Sequence, residues 1–376
     1  MARQIRSDDT SQWTDGFGNG SDGAYSPSTS TDAPIDAAGT GTSGASVFSA
    51  TNASFAAGQL VLIIQYRGTG AGNYEFNRIS SYSAGTVNLA YPLQNDYVSG
   101  AQIIVMKQYT SATIGGGVTL TAKAWNGSVG GVIAMFCNGA FGGTGTISLT
   151  GKGYRGGAAP TGTNGGFRGE GTSGDNATAQ TTANGNGGGG GSGGVGVAPG
   201  GAGGGNGAAG SAGSNGEGTG GTAGASAGNA GLTTMVAGGG GGAGGSSGDN
   251  SGTRSAGGNG GGLLIVVAKS IDVSSLTISL NGTNGGTASN RNGKGGGGAG
   301  GSALLKAQDI VLGTAKITAT AGSAGSGGTG ANGGAGAVGR IHADYLTSIS
   351  GTTSPTIDSR QDNSLVELGG MWFGMV

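Results

Sequence analysis

Gly201-Ala-Gly-Gly-Gly-Asn-Gly-Ala-Ala-Gly-Ser-Ala-Gly-Ser-Asn-Gly216 places a glycine at every third position, 201, 204, 207, 210, 213 and 216. The register slips once and resumes at Gly218, Gly221 and Gly224, then recurs at Gly330, Gly333, Gly336 and Gly339. Solid glycine runs at 187–191, 238–242 and 295–298 punctuate the region. A period of three matches an extended left-handed helix with three residues per turn and no internal hydrogen bonds. Its N–H and C=O groups point sideways, and glycine lets neighbouring backbones come close enough to accept them. A glycine-only run can be surrounded on all sides. A Gly-x-x run turns glycine inward and Ala, Ser, Thr or Asn outward. Residues 158–262 are therefore expected to form a stack of polyglycine-II-type helices. The competing reading is a disordered Gly/Ser linker, which needs neither the register nor the regular returns to strands.

Outward from that region the pattern changes to strands. Val118-Thr-Leu-Thr121, Ile147-Ser-Leu-Thr150, Leu276-Thr-Ile-Ser-Leu280 and Ile317-Thr-Ala-Thr320 each lead into a glycine-rich excursion. Each excursion returns on an apolar strand: Val132-Ile-Ala-Met-Phe136, Leu263-Leu-Ile-Val-Val267, Ala303-Leu-Leu-Lys306 and Arg340-Ile-His-Ala-Asp-Tyr345. These are four copies of one unit, and internal repeats govern the fold. The outgoing strands alternate and bury one face. The Leu263 strand is apolar on both faces and belongs in the middle of its sheet. Upstream, Leu60-Val-Leu-Ile-Ile-Gln-Tyr66, Tyr74 to Tyr82, Thr86 to Tyr91 and Gln102 to Tyr109 are short strands separated by turns. Their spacing predicts a small antiparallel barrel or sandwich. The expected fold is all-β: this small N-terminal domain, then a repeat β-strand layer with glycine-rich excursions packed as polyglycine-II helices. The boundaries drawn are an extended arm at 1–45, the β domain at 46–110, first repeats at 111–157, the glycine region at 158–262, further repeats at 263–347 and a tail at 348–376.

Composition removes most chemistry. Of 376 residues, 95 are glycine and only 9% are charged. Six prolines cannot support collagen, which needs abundant proline beside its glycine. A net charge of −1 leaves no electrostatic footprint for nucleic acid, and the longest apolar run, Leu263 to Ala268, is far short of a membrane span. One cysteine (Cys137) and one histidine (His342) exclude a disulfide framework and histidine-based metal sites. Cys137 is expected to be a buried small hydrophobe and His342 a structural residue of its strand. The many G-x-G-x-x-G spacings are expected by chance at this glycine content, and none follows a strand and opens a helix. Asp15-Gly-Phe-Gly-Asn19-Gly-Ser-Asp22 faintly resembles a calcium loop, but Asp15, Asn19 and Asp22 do not keep its ligand spacing. Within 158–262 the acids are Glu170, Asp175, Glu217 and Asp249, all in settings expected to be exposed, not the tuned carboxylate pair of a glycosidase. No catalytic residue, cofactor or metal is expected. Met1-Ala-Arg-Gln-Ile-Arg-Ser-Asp-Asp9 holds no apolar stretch, so no signal peptide is expected. The protein is therefore expected to start in a cytoplasm and either to stay there, to leave by lysis as part of a virus particle or to use a dedicated secretion route.

Tyr154-Arg155-Gly156 and Phe167-Arg168-Gly169 repeat an aromatic-Arg-Gly triplet. Aromatic and arginine side chains on a rigid surface suit sugar or protein recognition, which makes Tyr154, Arg155, Phe167 and Arg168 candidate receptor contacts. Alternatively, these residues seal the edges of the glycine stack. The end of the chain, Gly370-Met-Trp-Phe-Gly-Met-Val376, is apolar and expected to be covered by the same or a neighbouring subunit. Leu60-Val-Leu-Ile-Ile-Gln-Tyr-Arg-Gly-Thr-Gly-Ala-Gly-Asn-Tyr-Glu75, Ala122-Lys-Ala-Trp-Asn-Gly-Ser-Val-Gly-Gly131 and the glycine-rich repeats resemble glycine-rich proteins of tailed bacteriophages, also found in environmental bacterial genomes. The glycine-rich half is similar in kind to phage tail-fibre tip adhesins built from polyglycine-II sandwiches, and differs in having strand returns between excursions. The resemblance implies a virion protein: a tail fibre or tip adhesin meeting a host cell-surface saccharide or outer-surface protein. The alternative is a structural assembly protein, as virion decoration or an extracellular filament subunit. Homo-oligomers and other virion proteins are the expected partners, with no membrane insertion.

Overall fold

The computed structural model describes residues 16–365, apart from 195, 249 and 250. Among them there is no α-helix, in keeping with a glycine cost of about 1 kcal/mol per helical position. The strands are β1 (Ala24–Tyr25), β2 (Ser30–Asp32), β3 (Asp36–Gly41), β4 (Val47–Ala50), β5 (Leu60–Gln65), β6 (Tyr74–Ser83), β7 (Thr86–Leu89), β8 (Tyr97–Val105) and β9 (Lys107–Tyr109). They continue as β10 (Ser111–Ile114), β11 (Thr119–Ala122), β12 (Val132–Gly143), β13 (Thr146–Ser148), β14 (Leu263–Asp272), β15 (Thr277–Ser279), β16 (Ser302–Thr318), β17 (Arg340–Ser354) and β18 (Asp358–Gln361).

The small domain is a closed antiparallel barrel in the order β3-β4-β7-β6-β5-β8. It starts earlier than the sequence suggested: the 1–45 segment is not simply an arm. Its described part supplies β3 to the barrel and β1 and β2 to the large sheet, because Asp36–Gly39 pairs with Ala101–Ile104. Phe48, Val61, Ile63, Val87 and Ile103 fill the barrel. Leu62, Ile64, Phe76 and Ile104 point the other way and are equally buried. That double burial explains why β5 has no polar residue before Gln65.

The repeated strands form one parallel sheet rather than a simple layer. The returning strands β12, β14, β16 and β17 pair in parallel, one rung above the next. The outgoing strands β11, β13 and β15 form a second parallel ladder, joined to the first through the long β16. Leu120, Ile147, Ile278 and Ile317 from one ladder meet Ile133, Leu264, Ala303 and Ile341 from the other in a common core. β14 is central as its composition requires. Leu264 and Val266 face this inner core, while Leu263, Ile265 and Val267 face the barrel strands.

The glycine excursions pack against one another as extended segments. In 238–243, all six N–H groups donate, in turn, to the carbonyls of Gly261, Gly205, Glu170, Gly258, Ala202 and Phe167. Three successive residues thus reach three different neighbours, and every third residue returns to the same one. The six carbonyls accept from Tyr154, Ala299, Gly188, Gly157, Gly296 and Gly191, from three further neighbours. Segments 200–205 and 296–301 are bonded in the same way, and the three bond mutually: Gly239 N–H to Gly205, Gly296 to Gly242 and Gly204 to Gly297. The stack extends beyond 158–262, since segments from the last two excursions, 281–301 and 319–339, belong to it. The segment ending at Gly262 runs straight into β14, and that ending at Gly301 into β16, so stack and ladder are continuous.

A Cβ has no room in this arrangement. At Gly210 it would land on the Gly203 carbonyl oxygen, and at Gly240 on that of Arg155. At Gly207 it would sit 2.5 Å from the Gly339 carbonyl oxygen. Ala208 and Ser211 are exposed. Gly207→Val and Gly210→Val should each lose about 1 kcal/mol or more per bond broken, and Gly240→Ala should do more damage still. Ala208→Val and Ser211→Val should stay within about 0.5 kcal/mol of the parent. Thermal melts with limited proteolysis of the five variants check this; equal behaviour would remove the close-packed glycine account.

Candidate functional site

The aromatic-Arg-Gly triplets sit where the glycine stack meets the barrel. Tyr154 is fully buried, which corrects its reading as a receptor contact. Its hydroxyl donates to the Tyr66 carbonyl, and its ring stands edge-on to Tyr66, which stacks on Trp125 at 4.1 Å between centroids. Burial pushes the Tyr154 hydroxyl well above the ordinary tyrosine range, and the Glu170 charge adds to the shift. The packing leaves no space beside Gly131 (φ +76°), where a Cβ would strike the Tyr66 hydroxyl.

Arg155 is also committed inward. Its Nε and Nη2 donate to the two carboxylate oxygens of Glu170 at 2.9 and 3.2 Å, and that hydrogen bonding raises its already high pKa. Glu170, expected to be exposed, has a side chain with no exposed area. It accepts a second cation from the barrel, Arg67 Nη1, at 2.6 Å. One buried carboxylate therefore ties the Arg67 loop of the barrel to the first glycine segments. Gly68 N–H to Thr172 O and Met235 N–H to Gly72 O support the same seam. For Tyr154 and Arg155 the sealing role is the one their contacts support.

Phe167 and Arg168 are half-buried and lie beside a groove. Phe167 bridges Ala179, and Arg168 Nη1 donates to Gln180 Oε1 at 3.1 Å. The Nε of Arg168 is buried without a partner among the described residues. The groove holds about 540 Å³, floored by glycine backbone at 165–166 and 191–193, with Gln180, Thr181, Thr182 and Ser192 along its walls. No carboxylate or cationic group lines it. Sequence reasoning missed this groove because Gln180 to Thr182 lie in an irregular loop that only the folded chain brings back over Gly190 and Thr222, through Gly190 N–H to Gln180 O and Thr222 N–H to Thr181 O.

The other singled-out residues have local tasks. Asp22 accepts from Lys107 Nζ and from the Gln108 N–H, both at 2.8 Å, and Asn19 Oδ1 caps the Ser21 N–H. Asp15 lies outside the described residues, as does the apolar 370–376 end. Cys137 is buried, and burial pushes its thiol up to about 12. His342 is buried with Nδ1 2.7 Å from Asp358 and Nε2 3.2 Å from Asp344. Lys306 and Arg360 also meet Asp344, so these five side chains fasten β18 to β17. Burial works to raise the Asp344 pKa, but the hydrogen bond from His342 and the Lys306 charge hold it well below the usual carboxylate range. No protein-family model matches the chain, and no curated protein matches it.

Two outcomes follow from these charges. Glu170→Gln should lower stability by about 2 kcal/mol, because the charge-assisted hydrogen bonds from two guanidinium groups weaken while the cations stay in place; chemical denaturation measures it. Asp32 is pushed up to about 6 by burial first and by Asp36 second. A raised carboxylate favours the protonated folded state, so stability should fall as pH rises from about 4 to 6 and then level off. Asp32→Asn should match the parent at pH 4 and exceed it at pH 8 by an amount on the order of 2 kcal/mol. Equal pH slopes for parent and variant would contradict this.

Proposed function

We propose that this chain is a non-enzymatic structural protein of a phage virion, a tail fibre or tip adhesin that contacts the host cell surface. In this reading the glycine excursions are a polyglycine-II-type lattice, and the strand ladder is the frame that returns each excursion to register. The observation that carries the proposal is the complete pairing of every N–H and C=O in 238–243 with six surrounding segments. Such a body has no soft interior to deform, and its outer positions carry small uncharged side chains such as Ala208, Ser211 and Ser214. A rigid, weakly adhesive scaffold suits selective contact through a few sites.

The groove beside Phe167 and Arg168 is the contact site in this proposal. Its amide, hydroxyl and backbone groups match the donors and acceptors of a neutral saccharide, and Phe167 offers an apolar ring beside them. Purified protein should compete with particles for adsorption to host cells. Gln180→Ala with Thr181→Ala should reduce that competition at least about tenfold, the loss of two well-placed hydrogen bonds, while the melt falls only by the small amount that the lost Arg168–Gln180 contact contributes. Gold-labelled antibody should mark one end of the particle's tail. Label distributed over the capsid, with no competition by the parent protein, would instead support the assembly-protein reading.

A further inference from the structure

Among the described residues the strand ladder is open at both ends. At the C-terminal end, β18 covers only His342–Tyr345 of β17. The rest of the edge, Leu346-Thr-Ser-Ile-Ser-Gly-Thr-Thr-Ser354, has no strand on its outer side among the described residues. It carries no charge and no proline, the devices by which exposed edges are normally kept from pairing. At the N-terminal end, β1 and β2 lie on Ser111–Ala112 and Leu120–Ala122, the arc of the rung that β18 leaves bare at the other end. The inner core is incompletely closed at both ends as well: Tyr25, Tyr109 and Val118 are partly buried at one, Tyr345, Ile349 and Ile357 at the other.

The register shows how the two ends match. One inward column runs Tyr25, Ala112, Phe141, Ile271, Ile310, Ile349. An outward column runs Thr31, Thr121, Ser148, Ser279, Thr318, Ser354. We propose that a second copy of this chain docks head to tail on the open edge, its β1 and β2 pairing in parallel with Ser348–Ser354 and completing the rung that β18 begins. Tyr25 of the second copy then continues the apolar column above Ile349, and its Thr31 continues the hydroxyl column above Ser354. Strand direction is kept, and the step is not a closed two-fold, so copies can add in a line. This surface is argued from the ladder alone and stands apart from the groove and from the adhesin reading.

A cross-link tests it. Ala24 and Ser348 are exposed and precede Tyr25 and Ile349 in the matching column. Within one chain they are five rungs apart, about 24 Å at about 4.8 Å per rung, too far for a disulfide. Across the proposed joint they are one rung apart, about 4.8 Å, within disulfide range. The full chain with Ala24→Cys and Ser348→Cys should give a ladder of covalent dimers, trimers and longer species on mild oxidation, reversed by reductant. The two single variants should give no ladder beyond a dimer. The parent should show concentration-dependent mass in sedimentation, and Ile349→Lys, which puts a charge in the joint column, should shift it toward monomer. Circular dichroism of Ile349→Lys confirms that the fold survives; the double-cysteine result stands even where it does not. A parent that sediments as a monomer at every concentration, with no ladder from the double variant, would assign the edge to the chain's own ends and overturn the proposal.

Discussion

A buried peptide group that lacks a hydrogen-bond partner costs free energy on the scale of a whole side-chain contact. This chain meets that constraint without much of a conventional core in its glycine-rich half. Removing Cβ atoms lets extended backbones approach until each N–H reaches a carbonyl of the next segment. Three mutually bonded segments, 200–205, 238–243 and 296–301, sit at the centre, and the outer segments are arranged around them. Ordering glycine is entropically expensive. The arrangement therefore tolerates few unpaired groups, and one added methyl at its centre meets a carbonyl oxygen directly.

The rest of the fold supplies what glycine cannot. Side chains from β12, β14 and β16 fill an inner core on one face and pack on the barrel with the other. These strands fix the register in which each excursion leaves and returns. Where barrel, ladder and stack meet, specific groups lock the seam: the Tyr66–Trp125–Tyr154 ring cluster and the buried Glu170 between Arg67 and Arg155. Removing water from one carboxylate is costly, and the two guanidinium groups offset that cost while joining parts of the chain about a hundred residues apart.

In the proposed reading, such a body separates shape from recognition. The glycine stack has a small-residue exterior and little to offer a ligand except at places where a loop adds side chains. The loop carrying Gln180 to Thr182 is one such place, fastened by backbone bonds to the stack and by Arg168 to its flank. The open ladder edge is another, and its chemistry is different: backbone groups and a repeating column of small hydroxyls.

The sequence by itself determined the absence of α-helix among the described residues, the strand repeats, the central place of the Leu263 strand and the glycine register of three. Each of these follows from local chemistry: residue spacing, side-chain volume and the freedom of a backbone without Cβ. The direction in which Tyr154 and Arg155 point was not legible there, since an aromatic-Arg-Gly triplet is the same string whether it faces solvent or a barrel. Nor was the burial of Glu170, because its second partner, Arg67, comes from a remote loop. Tertiary structure alone decided that the ladder is parallel, that the three longer excursions share one stack, and that β1 and β2 join the far end of the sheet. Those choices depend on which distant backbones meet, and a local repeat of glycine and threonine is compatible with many such meetings.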